Sequence, residues 1–134
     1  MVKRGSSIGF FGMFGRSQDL RRLDAALREA GLHPVQVSEG AKLAAIGLMA
    51  SGRAADPPAT AYPPVGALMA YCALGEEAFA RENGGERLSE TRGRLEAALE
   101  AGEGLDAEIV LLMLHANLVH PELVERYDIR AEEG

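Results

Sequence analysis

The apolar positions of this chain recur at helical rather than strand spacing. In SQDLRRLDAALREAG, residues 17–31, Leu20, Leu23, Leu27 and Ala30 fall three or four apart and form one stripe. Arg21, Arg22, Asp24, Arg28 and Glu29 occupy the solvated remainder. Ser17 has the short side-chain oxygen of an N-cap, Asp19 suits the positive end of a helix dipole, and Gly31 supplies a left-handed stop. In the next stretch Pro34 breaks the pattern, Val35 and Val37 alternate as extended chain, and Ser38 caps a second helix over 39–50. Its inward positions are Leu43, Ala44, Ile46 and Met49; a start at Pro34 is the alternative.

Residues 52–64 hold four of the six prolines and read as a connector within one domain. A third helix is expected from Val65 to Asn83, ended by Gly84 and Gly85, with Val65, Leu68, Cys72 and Phe79 on one face and Gly75 permitting close approach. SETRGRLEAALEAG gives a fourth, capped by Ser89, with Leu95 and Leu99 as its stripe. A fifth opens at Asp106 and is apolar all round from Ile109 to Leu114, which predicts the central, most buried helix. PELVERY supplies a short sixth.

No segment carries the strand period. The expected fold is all-α: a compact single-domain bundle of about five to six helices with short loops. It divides into an apolar, glycine-rich and flexible N-terminal arm over 1–16, a helical domain over 17–130 and a frayed acidic tail over 131–134. RRLDAALREAG at 21–31 and GRLEAALEAG at 93–102 look alike, but two copies in a chain built from Ala, Leu, Glu and Arg are weak evidence for a repeat.

Composition sharpens this in three ways. Aromatic residues make up 5% of the chain and Trp is absent, so Ala, Leu, Val and Met must fill the core, which favours close helix packing. The net charge is −6, which disfavours nucleic acid as a partner without a local basic face. One cysteine, Cys72, excludes an intramolecular disulfide and the Cys-based zinc patterns. The style is that of a small bacterial cytoplasmic protein. At the N-terminus Lys3 and Arg4 precede an apolar run from Ile8 to Phe14, seven residues interrupted by Gly9 and Gly12. That run is too short to cross a bilayer and is marginal as an export signal; Met13 is an alternative start. Phe10, Phe11 and Phe14 are three of the four phenylalanines, and they are expected to dock on the protein's own core or a twin subunit, with a membrane-surface anchor or a partner-binding arm as the alternative.

The chain lacks the phosphate-loop, dinucleotide, HExxH, CxxC and GxSxG patterns. His115 and His120 are five apart with Pro121 following, so they cannot chelate as a helical pair, and no metal or cofactor is expected. His33 and His120 each precede a proline and read as corners with modest capping roles. His115, two turns after Glu108 on one helix face, is the candidate general base of a small pocket. Cys72 falls on an apolar stripe as a core thiol, and Glu76, Glu77, Glu82 and Glu86 read as a solvated acidic face. Arg21, Arg22 and Arg28 are interleaved with Asp24 and Glu29, which suits helix pairing better than DNA reading.

The function expected from these features is a non-enzymatic protein-interaction or regulatory module. It would bind a twin subunit or another protein through the Phe10/Phe11/Phe14 arm or a helix face. A small-molecule-binding or hydrolytic protein using His115 and Glu108 is the alternative, and a weak DNA-binding regulator the third.

Overall fold

Proline and glycine set where the helices start and stop. In a computed structural model, which describes residues 4–50 and 57–129 with side chains from residue 17 onward, the described residues form seven α-helices. They are α1 (Arg4–Glu29), α2 (Glu39–Met49), α3 (Tyr62–Leu74), α4 (Glu76–Asn83), α5 (Gly85–Ala101), α6 (Leu105–His115) and α7 (Pro121–Tyr127). Three-residue 3-10 turns precede α2 at Pro34–Gln36 and α3 at Ala59–Ala61. Among the described residues there is no strand, and no helix is long and apolar enough to cross a membrane.

The fold is all-α as expected, with one helix more than the upper expectation. Gly75 is the reason: its φ of +86° ends α3, and α4 resumes at once on a new axis. The expected stripe survives the break, since Val65, Leu68, Cys72 and Phe79 are all buried. Three expected helix starts are displaced. α1 runs unbroken from Arg4, because no proline interrupts it, so Ser17 is interior and Asp19 lies far from any helix terminus. α3 opens at Tyr62, with Pro63 and Pro64 in a first turn that needs no N–H from them. α5 opens after Gly84, four residues before Ser89. Ser38 does cap α2, its Oγ accepting from the Ala41 N–H at 3.1 Å. On that helix Ala45 is buried and Ala44 exposed, a one-residue rotation from the expected face.

The centre of the bundle is α3 rather than α6. Nine of its thirteen residues are buried, from Tyr62 through Cys72, and α1, α4, α5 and α6 all pack against it. Small residues let α1 come close: a Cβ added at Gly66 would lie 2.6 Å from the Ala26 Cβ. The same interface holds a buried polar tie, the Tyr62 hydroxyl donating to Asp19 at 2.9 Å. An ion pair at 2.9 Å between Lys42 and Asp24 joins α2 to α1. At the other end of α1, the Asn83 amide donates to the Ala30 carbonyl at 2.8 Å and ties down the end of α4. Tyr71 and Phe79 meet edge to face, with centroids 5.4 Å apart, and fill the corner where α3 turns into α4.

Candidate functional site

Helix α6 carries more apolar surface than the bundle can cover. At 100° per residue, the six consecutive apolar residues from Ile109 to Leu114 sweep the whole circumference. Ile109, Val110 and Met113 turn inward and are buried, where α6 packs on α3, α2 and α5. Leu111 lies on the far side and is 39% exposed, and Leu105 at the helix start is 36% exposed.

Opposite α6, helix α5 buries Leu95 and Ala98 and leaves Leu99 half-buried. Gly102 (φ +71°) and Gly104 (φ +101°) then turn the chain back, so the two helices diverge from a tight corner. Between them runs a groove of about 350 Å³, lined by Leu99, Val110, Leu111, Leu114 and Ile129 over a floor of Ala98. A second depression of about 440 Å³, which shares Ala98 with it, is lined by Ala101, Glu103 and Leu105. One clasp fixes the corner. Arg94 on α5 holds Asp106 in the first turn of α6 through two parallel bonds of 3.1 and 2.9 Å, and its third nitrogen donates to the Pro64 carbonyl at 2.7 Å. Asp106 therefore serves the clasp, and the capping position belongs to Gly104.

A polar cluster seats α7 beside this face. Glu76, at the start of α4, accepts from Arg92 of α5 and Arg126 of α7, and from the Tyr71 hydroxyl at 3.4 Å. Its partial burial opposes ionisation, but the hydrogen bonds and charges of the two guanidiniums prevail and hold its carboxyl below the ordinary range. Burial, reinforced by the Glu76 charge, pushes the Tyr71 phenol well above its usual value. The Tyr127 hydroxyl donates to Glu96 at 2.8 Å, and the His120 N–H donates to the Cys72 carbonyl at 2.7 Å. Leu123, fully buried, is the apolar anchor of the same helix.

Both His-Pro pairs are corners. The His33 Nδ1 accepts from the Val35 N–H at 3.1 Å, and the His120 Nδ1 accepts from the Glu122 N–H at 3.0 Å. The His120 ring also packs over Gly75, where an added Cβ would lie 3.0 Å from it. Cys72 is fully buried, and burial pushes its thiol up to about 12. His115 and Glu108 are both exposed on α6, and neither lines the groove beside that helix. Among the described residues no three His, Cys, Asp or Glu side chains converge as a metal site would require. The side chains of Phe10, Phe11 and Phe14 lie outside the described residues.

Sequence reasoning missed two things here. The acidic end of the third predicted helix contains a hub, since Glu77, Glu82 and Glu86 are exposed but Glu76 is not; the opening of α4 directly beneath α5 and α7 separates them. The available signal was the pairing of Glu76 with arginines on two later helices, which no local spacing reveals. The exposed side of α6 was legible in the length of its apolar run, yet was read as burial. Compared with protein-family models, curated proteins and solved structures, the chain matches none of them.

Proposed function

We propose that this chain is a non-enzymatic helical interaction module that receives an amphipathic helix, from a twin subunit or from another protein, on its α5–α6 face. The observation that carries this reading is the groove itself: its lining is apolar, and its exposed Leu111 sits on α6, whose first turn is held by the Arg94–Asp106 clasp. Apolar side chains kept in water on a well-packed helix recover free energy only when a partner covers them, at about 25 cal/mol per Å². A helix laid in such a groove inserts residues spaced three and four apart between Leu99, Leu111 and Leu114.

The test places a photo-crosslinking benzoylphenylalanine at position 111 or at the exposed position 77 of α4 in cells making the protein. A discrete adduct from 111 and none from 77 is the expected result. Equal labelling at both positions, or none at 111, ends the interaction reading.

A further inference from the structure

Charge is distributed along this chain in two opposed blocks. Residues 1–16 contain Lys3, Arg4 and Arg16 and no carboxylate, and they interleave these with Ile8, Phe10, Phe11, Met13 and Phe14. Residues 94–129, which build the groove and its surroundings, contain eight carboxylates against two arginines, Arg94 and Arg126, which are already engaged by Asp106 and Glu76. Glu103 lines the neighbouring depression, and Glu108 is exposed one residue beyond Ala107 of the groove wall. A basic, apolar helical segment is therefore the complement of this acidic, apolar groove, and the chain carries one.

The contacts of α1 lie away from the groove. α1 packs on α3 and α2, whereas the groove lies on α5 and α6. The helix continues as one element back to Arg4, so its first thirteen residues extend about 20 Å past Ser17, at 1.5 Å per residue. We propose that the N-terminal segment of one copy, residues 4–16 of α1, docks in the α5–α6 groove of a second copy, and that the exchange is reciprocal about a two-fold axis. This rests on the reading of the groove as a helix-receiving face and names its occupant. Apolar insertion supplies the larger part of the association, and Lys3 and Arg4 against the acidic rim supply register and speed.

Two full-length variants test it, with mass measured by light scattering after size exclusion and folding verified by circular dichroism. Phe11→Asp with Phe14→Asp disables the segment. Leu111→Asp disables the groove at a position already 39% exposed, so the fold tolerates it. The natural chain is expected to be a dimer, each variant a monomer, and an equimolar mixture of the two a heterodimer, because one intact segment then faces one intact groove. Lys3→Glu with Arg4→Glu is expected to weaken the dimer at least tenfold at low salt. A monomeric natural chain, a dimeric Phe11/Phe14 variant, or a mixture that stays monomeric overturns the proposal. If position 111 nevertheless crosslinks to a different protein, the interaction reading stands without this occupant; if it crosslinks to nothing, both fall.

Discussion

A single methyl group at residue 66 tests the packing on which the whole bundle depends. Gly66 lies in the middle of α3 at its crossing with α1. On intrinsic propensity alone, Gly66→Ala in a helix interior stabilises by about 1 kcal/mol. The structure predicts the opposite sign. The new Cβ would lie 2.6 Å from the Ala26 Cβ, 2.8 Å from the Ala26 carbonyl carbon and 3.0 Å from its oxygen. Two of these atoms are backbone, so no rotamer change relieves the overlap and the helices must separate by roughly 1 Å. Overpacking of this kind costs about 1–3 kcal/mol, and the upper end applies where α1 itself must move. Net destabilisation of about 1–2 kcal/mol is expected, a fall of roughly 3–8 °C in Tm for a domain of this size.

Urea unfolding followed by circular dichroism reads this directly, with Gly47→Ala as the control. Gly47 is exposed within α2 and nothing lies within 4 Å of an added Cβ, so that substitution should stabilise by about 0.5–1 kcal/mol. Ala26→Gly in the Gly66→Ala background removes the 2.6 Å overlap but leaves the 2.8 Å one, so it should rescue only in part. If Gly66→Ala and Gly47→Ala both stabilise, the close α1–α3 crossing is wrong, and with it the placement of Asp19 against Tyr62.

Three further outcomes follow from the same contacts. Glu76→Gln should cost about 1–2 kcal/mol near neutral pH, because a neutral amide cannot satisfy two guanidiniums. The folded-state carboxyl titrates below the ordinary 4.5, so this stabilisation is complete above that value and fades as the pH falls through the lower folded one. Urea titrations at neutral and strongly acid pH should therefore show the two proteins converging in acid, and a gap of constant size would refute the ion-pair account. Ser38→Ala should lower stability by about 1 kcal/mol in the same assay through loss of the bond to Ala41, and an unchanged midpoint would remove the cap. Cys72, fully buried with its thiol pushed up to about 12, should react with an aromatic disulfide reagent only at the rate of unfolding, and rapid labelling of the folded protein would contradict its position in the core.

What the sequence made legible were the features encoded within a turn or two of chain. The stripe of Leu23, Leu27 and Ala30, the Ser38 cap and the His33 and His120 corners each depend on neighbours two to four residues away, and all stand where the local pattern placed them. What failed depended on partners remote in sequence. Asp19 looks like a dipole residue until Tyr62, 43 positions later, takes its carboxylate. Glu76 looks solvated until Arg92 and Arg126 arrive from other helices. Gly75 was read as a point of close approach, which it is, but its positive φ also splits the predicted helix, and sequence does not report φ.

The misassignment of the central helix bears most on function. Hydrophobicity on every side of a helix says that every side seeks cover, not that the same chain provides it. α3 finds that cover among α1, α4, α5 and α6, partly because Gly66, Ala67 and Ala70 admit neighbours closely. α6 meets α3, α2 and α5 on one side, and among the described residues Leu111 on the other side stays exposed. α7 is only seven residues long and is held to the bundle by Leu123 and the Glu76 cluster. The same run of leucines that suggested a core position thus becomes, in this topology, the strongest indication of an interface. A chain poor in aromatic residues but keeping three of its four phenylalanines within residues 1–16, together with three of its basic groups, carries a segment suited to cover it.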